Sequence, residues 1–172
     1  MRNLMKLTAV LFFVIATASV NAQTLKFGHI DMQALIQVMP ERATAETEFN
    51  NFQSDIEDVF GQMQKEYQQK LAELQQLGDA ASEVKRNAKV TEIQDLQQRM
   101  QNYQQSAQQQ LQQKQAELLK PVFDKADSII AVVAKEKGLI YVFDAGANSV
   151  VLYKSNQSVD LLPLVKAKMG IQ

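Results

Sequence analysis

The chain has 172 residues, with 18 Lys+Arg against 19 Asp+Glu, one His, no Cys, no Trp, 6 Gly and 3 Pro. The missing Cys excludes a disulfide framework, thiol catalysis and Cys-ligated zinc or iron–sulfur clusters, and a formal charge of −1 leaves no basic footprint for nucleic acid. A hydrophobic fraction of 46% with so few turn formers favours long helices.

Residues 1–22 read MRNLMKLTAVLFFVIATASVNA, with Arg2 and Lys6 ahead of an apolar run from Leu7 to Ala18 and small residues near Val20 and Ala22. This is the pattern of a secretory signal peptide. The run is shorter than the roughly 20 residues that cross a bilayer, so a cleaved leader is expected rather than an anchor. Without Cys there is no lipobox for acylation, and nothing in the chain indicates a membrane contact. Removing 22 residues from 172 leaves a mature chain of 150, and losing Arg2 and Lys6 leaves 16 basic against 19 acidic residues, a charge of −3.

Thr24 to Asp31 reads as a short strand through Phe27 and Ile30, leading into a helical turn from Met32 to Met39 that Pro40 ends. The only imidazole, His29, lies two residues from Asp31 on the same strand face, but one His without further convergent ligands is ordinarily a packed or hydrogen-bonded residue.

From Glu41 to Leu119 there is no Pro, and Gly occurs only at positions 61 and 78. Apolar residues fall at Ala45, Phe49, Phe52, Ile56, Phe60, Met63, Tyr67, Leu71 and Leu74, an eleven-residue repeat close to the relaxed period of a helix. Gly61 sits off that stripe and costs about 1 kcal/mol relative to Ala. The stripe breaks at 77–82, where Gly78 suits the end of one helix and Ser82 the N-cap of the next, so the chain is expected to reverse. A second stripe follows through Val84, Ala88, Ile93, Leu96, Met100, Tyr103, Ala107, Leu111, Leu118 and Val122, with a slip of five before Ile93 and a gap of seven after Leu111. The product is a rod about 50 Å long at 1.5 Å per residue. Both stripes are thin, and each supports one partner helix. Gln dominates residues 104–115, as a solubilising face or as a weakly polar wall. Lys85, Arg86 and Lys89 cluster near the tip, with Glu83, Glu92 and Asp95 beside them, and read as a solvated helix face.

Pro121 marks a kink or a restart of the descending helix, and Ile129, Ile130 and Val133 are apolar enough to pack on a sheet. Leu139 to Phe143, the turn residues Asp144 to Ser149, and Val150 to Tyr153 predict a β-hairpin. Asp160 is positioned to cap a last helix from Leu161 to Met169, with Pro163 in its first turn and Gly170 just past its end. The fold expected is therefore mostly α with a small β head. A two-helix antiparallel coiled-coil arm (residues 41–118, tip near 77–82) projects from an association domain built of residues 23–40 and 119–172. A head that small is marginal alone, and its exposed strand edges favour self-association. No Gly-x-Ser-x-Gly, phosphate loop or His-Glu-x-x-His is present, and Asp124 and Asp127, beside Lys120 and Lys125, read as surface pairs. No enzyme, cofactor or metal site is expected.

The segment Gly138-Leu-Ile-Tyr-Val-Phe-Asp144, followed by Ala145, Gly146, Val150, Tyr153 and Val159-Asp160-Leu161, resembles the Skp (OmpH-like) periplasmic chaperone family. Phe27-Gly-His-Ile-Asp31 with Met32 and Leu35 resembles that family's first strand and helix. The resemblance implies a homotrimer joined through the heads, whose arms surround a cavity holding unfolded outer-membrane proteins. It further implies a periplasmic holdase that needs no ATP. Candidate residues for head assembly are Phe27, Ile30, Tyr141, Phe143, Val151 and Tyr153. Phe49, Phe52, Ile56, Phe60 and Met63 either keep the arm paired or line the cavity. Family members are often strongly basic, whereas this mature chain is acidic, so capture of clients by charge alone is not expected. The competing expectation is a structural or adaptor coiled coil of the cell envelope that docks on one stable partner.

Overall fold

The computed structural model describes residues 25–171 except 79, 80 and 148, so the leader expected over 1–22 lies outside the described residues. Strand β1 (Phe27–Ile30) stops at Asp31, whose Oδ1 accepts a hydrogen bond from Ala34 N at 2.9 Å and caps helix α1 (Met32–Val38). Met39 is extended, as the residue before a proline must be. Pro40 therefore ends α1 and also opens helix α2 (Pro40–Gln76), at a position whose missing N–H has no intrahelical use.

Helix α2 has 37 residues, about 55 Å of rise. Gly78 then takes φ +59°, a left-handed conformation that a side chain disfavours. The chain turns back into helix α3 (Glu83–Glu136), which packs antiparallel against α2 and continues into the head. Ser82 precedes α3 in extended conformation without a side-chain cap; Arg86 instead donates to Gly78 O at 2.6 Å across the turn. The helix neither ends nor restarts at Pro121, which faces solvent. The residues just beyond it, Val122, Ala126, Ile130 and Val133, form a buried row that fixes the helix to the head and offsets the lost hydrogen bond.

Along the arm Ala45, Ile93, Leu96 and Ala107 are buried, and the aromatic positions of α2 are half-buried. The return stripe differs from its expected course at both ends of the irregularity. Val84 is 78% exposed and Ala88 is also exposed, while the half-buried Val90 takes the seam position before Ile93. The gap of seven is filled by the half-buried Lys114, whose aliphatic stem covers the seam while its ammonium reaches Glu117 at 3.2 Å. With these two substitutions the seam keeps a spacing of threes and fours.

The sheet corrects the expected hairpin. Strand β2 (Tyr141–Asp144) pairs parallel with β1, not antiparallel with 150–153, and β3 (Val159–Asp160) pairs parallel with the other side of β1, giving the order β2-β1-β3. The turn after β2 holds the chain against the end of β1: Ala145 N donates to Ile30 O at 2.8 Å, and Asp144 Oδ1 accepts from Met32 N and Gly146 N. A Cβ at Gly146 would lie 2.8 Å from Asp31 Oδ1, so this close approach needs glycine. Val150 and Leu152, left without a strand to join, are 95% and 101% exposed.

Asp160 Oδ1 accepts from Leu162 N at 3.0 Å and leads into helix α4 (Leu162–Met169), which Gly170 ends. One core then joins both ends of the chain: Ile30, Leu35, Ile36 and Met39 from the N-terminal side, the buried row of α3, and Leu161 and Val165. Leu161 is fully buried there. Truncation to Ala is expected to lower unfolding stability by about 2–5 kcal/mol, whereas Val84→Ala at the exposed tip is expected to change it by less than about 0.5 kcal/mol. Urea titration of both variants, followed by circular dichroism, checks the contrast.

Candidate functional site: the head face and the arm seam

Among the described residues no group of three or more His, Cys, Asp or Glu is placed to hold a metal ion, and no helix is long and apolar enough to cross a membrane. Asp31 is engaged as the cap of α1, and His29 Nδ1 lies 2.9 Å from Ser158 Oγ. The surfaces that stand out are apolar and polar walls.

The first is the outer face of the sheet. Side chains alternate along a strand, and parallel register puts paired residues on the same face, so Phe27, His29, Tyr141 and Phe143 share the side away from the helices. The three aromatic rings stack on one another, with centroids 6.5 Å (Phe27–Tyr141), 6.3 Å (Phe27–Phe143) and 5.9 Å (Tyr141–Phe143) apart. All three remain substantially in water, Tyr141 by 63%. Val151 and Tyr153 line a groove of about 500 Å³ against Phe27 and Phe143. Ile30 is not on this face. Its alternation turns it inward, where it is 2% exposed in the head core. Sequence reasoning missed Leu25, Lys154 and Ser158 as lining residues of the groove: Leu25 directly precedes β1, and only the irregular path of 150–158 brings the other two to it.

The second surface is the arm. Phe49, Phe52, Ile56, Phe60 and Met63 lie half-buried along α2 on the side facing α3. Phe60 stacks on Tyr103 at 6.5 Å, the Tyr103 hydroxyl donates to Ile56 O at 3.3 Å, and Gln97 Nε2 donates to the Tyr67 hydroxyl at 2.7 Å. At the root an open groove of about 340 Å³ is lined by Ala45, Phe49, Leu118 and Leu119, with Arg42 and Glu46 at its rim. Tyr103 and Tyr67 were visible as stripe positions, but their hydrogen bonds across the seam depend on the register of the two helices.

Ion pairs cross the arm at its root, where Lys125 meets Glu41, and again toward the tip, where Arg99 meets Glu66 at 3.5 Å, Lys70 meets Glu92 at 2.7 Å and Lys89 meets Glu73 at 2.9 Å. The structure thus does not bring Lys85, Arg86 and Lys89 together as an unengaged basic patch: Lys89 bridges Glu73 and Glu92, and Arg86 reaches the Gly78 carbonyl. The hydrogen bond from Lys125 holds Glu41 below the usual carboxylate range. Near the tip, hydrogen bonds from Lys89 and then Gln69 lower Glu73, those from Lys70 and then Lys89 lower Glu92, and those to Glu73 and then Glu92 raise Lys89. Carboxylates lowered in the folded state contribute stability that is present above their unfolded value, about 4.3 for Glu, and is lost as pH falls through the folded value. The raised Lys89 contributes below its unfolded value, about 10.4, and loses that contribution only above it. The thermal midpoint of the arm is therefore expected to fall as pH drops from about 5 to about 3, and to fall less in Lys89→Met. Helical circular dichroism melts of both chains at the two pH values check this, and equal drops would count against it.

A family model described as "Outer membrane protein (OmpH-like)" matches residues 26–169 of the chain. Six solved chains match it in structure. One of them, a proposed outer membrane chaperone (OmpH-like) from Caulobacter crescentus CB15, superimposes with a TM-score of 0.72 at 10% identity, covering 87% of this chain and 86% of that one. At that identity the likeness speaks for the fold. No curated protein matches the sequence.

Proposed function

Because the chain belongs to the OmpH-like family of outer membrane proteins, we propose that it is a periplasmic chaperone that holds unfolded outer-membrane proteins without ATP. The observation that carries this reading is the arm itself. Helices of 37 and 54 residues pair along one thin seam, and α1 and α4 pack on them only in the head, where the last turns of α3 join the core. A structure of this shape offers a long wall. Its half-open aromatic root and its Gln-rich outer face offer many weak contacts to an unstructured chain, and such contacts gain strength by summation.

The proposed assembly is a homotrimer joined through the heads, with the arms as the sides of a client cavity. Three features of the head support self-association. The aromatic trio is stacked yet exposed, β2 lies at an edge of the sheet, and Val150, Leu152 and Tyr153 hold their apolar side chains in water. Exposed strand edges and apolar patches of this kind are generally covered by another copy or by a partner. Phe27, Tyr141, Phe143, Val151 and Tyr153 are the residues proposed to meet a neighbouring copy. Ile30 serves the core of its own head.

Two measurements test the proposal. An outer-membrane porin diluted from urea is expected to scatter light progressively less as the processed chain is added, and undiminished scattering at excess chaperone would sink the holdase reading. A pull-down yielding one folded stoichiometric partner and no unfolded clients would favour an envelope adaptor instead. In sedimentation the processed chain is expected at three times its own mass. The double variant Tyr141→Asp, Phe143→Asp is expected to need at least about tenfold more protein to assemble, corresponding to about 1.4 kcal/mol, with its helical content unchanged.

A further inference from the structure

The groove on the outer face of the sheet contains a group that neither the fold nor the client wall uses. His29 is the only imidazole in the chain and is 8% exposed. It stands on β1 beside Phe27, opposite Phe143 in register, and lines the groove together with Val151, Tyr153 and Lys154. Its Nδ1 is 2.9 Å from Ser158 Oγ, and Ser158 is held in place by the bond from its own N–H to Ser155 O.

We infer that His29 is a proton-sensitive gate on head assembly, because protonating it and covering its groove with a second copy compete. This rests on the reading that a second copy covers the face. A neutral imidazole already has a partner in Ser158 and tolerates burial. An imidazolium at the floor of this groove loses the water that reaches it through the opening when apolar side chains close it, and the rings that close it bring no counter-charge. Charged groups stand around it on every strand. Lys26, which precedes β1, and Lys154, on the returning segment, are both cationic and line the same groove. Asp31 and Asp144 end β1 and β2 and accept hydrogen bonds from the amides of Ala34, Met32 and Gly146. Asp160 on β3 is the register partner of His29, but it is exposed, and its Oδ1 accepts from Leu162 N. Tyr141 and Tyr153 are the other titratable side chains beside the groove.

The sign follows from linkage. Closure disfavours the charged form, so assembly releases protons, strengthens as pH rises through the imidazole range near about 6.5, and weakens below it. Sedimentation of the untagged processed chain is expected to show self-association at least about tenfold weaker at about pH 5.5 than at about pH 8. In His29→Gln, whose amide can still meet Ser158 and does not titrate, association is expected to be equal at the two values. The lone imidazole also gives a single C2–H proton resonance, and its titration midpoint is expected to be lower in concentrated, assembled samples than in dilute ones. That measurement needs no variant and decides the matter if His29→Gln does not fold. Equal association of the unmodified chain at both pH values, or the same midpoint in both samples, overturns the gate alone. No association at about pH 8 overturns the head-assembly reading and the gate with it.

Discussion

Strand β1 has four residues, and its partners lie more than a hundred residues further along the chain. Every other part of the molecule depends on that pairing. Only when Phe27–Ile30 is flanked by Tyr141–Asp144 and Val159–Asp160 do the two ends of the chain share a core, and only then is everything between them held as a loop that can extend as an arm. Closing so long a loop with so few strand residues is entropically expensive, though the cost grows only slowly with loop length. The return comes from packing on the other side of the sheet, where Ile30, Leu161 and Val165 meet the buried row of α3. Pro121 is tolerated inside that helix for the same reason.

The arm obeys a different rule. It has no core in depth, only a seam one residue wide, in which fully buried positions are few and small residues such as Ala45 and Ala107 bring the helices close. Toward the tip, pairs such as Lys89–Glu73 and Lys70–Glu92 cross between the helices. Each surface pair is worth little by itself, but the seam needs only enough stability to keep two helices together. Outside it the arm is mostly polar, with Val59 and Val84 as exposed exceptions. A rod of this kind can stand in water and still present half-buried aromatic edges near its root.

The two faces of the small sheet have opposite fates. The inner face is covered by the helices of the same chain, and Ile30 belongs to it. The outer face gathers Phe27, Tyr141, Phe143 and His29 and leaves the aromatic rings in water. An exposed stack of that size beside a free strand edge is the ground on which both self-association and its sensitivity to protons are proposed.

The mostly helical class, the two long helices and the reversal between them were legible in the sequence, because apolar spacing at threes and fours, scarce Gly and Pro, and a glycine at the turn act over neighbouring residues. The aromatic and β-branched character of 139–143 likewise marked a strand. What local pattern could not supply was its partner. Tyr141–Phe143 followed by turn residues and Val150–Tyr153 predicts a hairpin, yet Asp144 and Ala145 bond to the start of α1 and the end of β1, so the strand runs parallel to β1 and the expected return strand is left in solvent. The same holds for Ile30, whose strand character could be read but whose facing depends on which side the helices cover. Periodicity and capping are short-range effects that a sequence by itself determined here. Strand partners, the face each side chain takes and the groove around His29 depend on contacts between residues a hundred positions apart, and those only the tertiary structure decided.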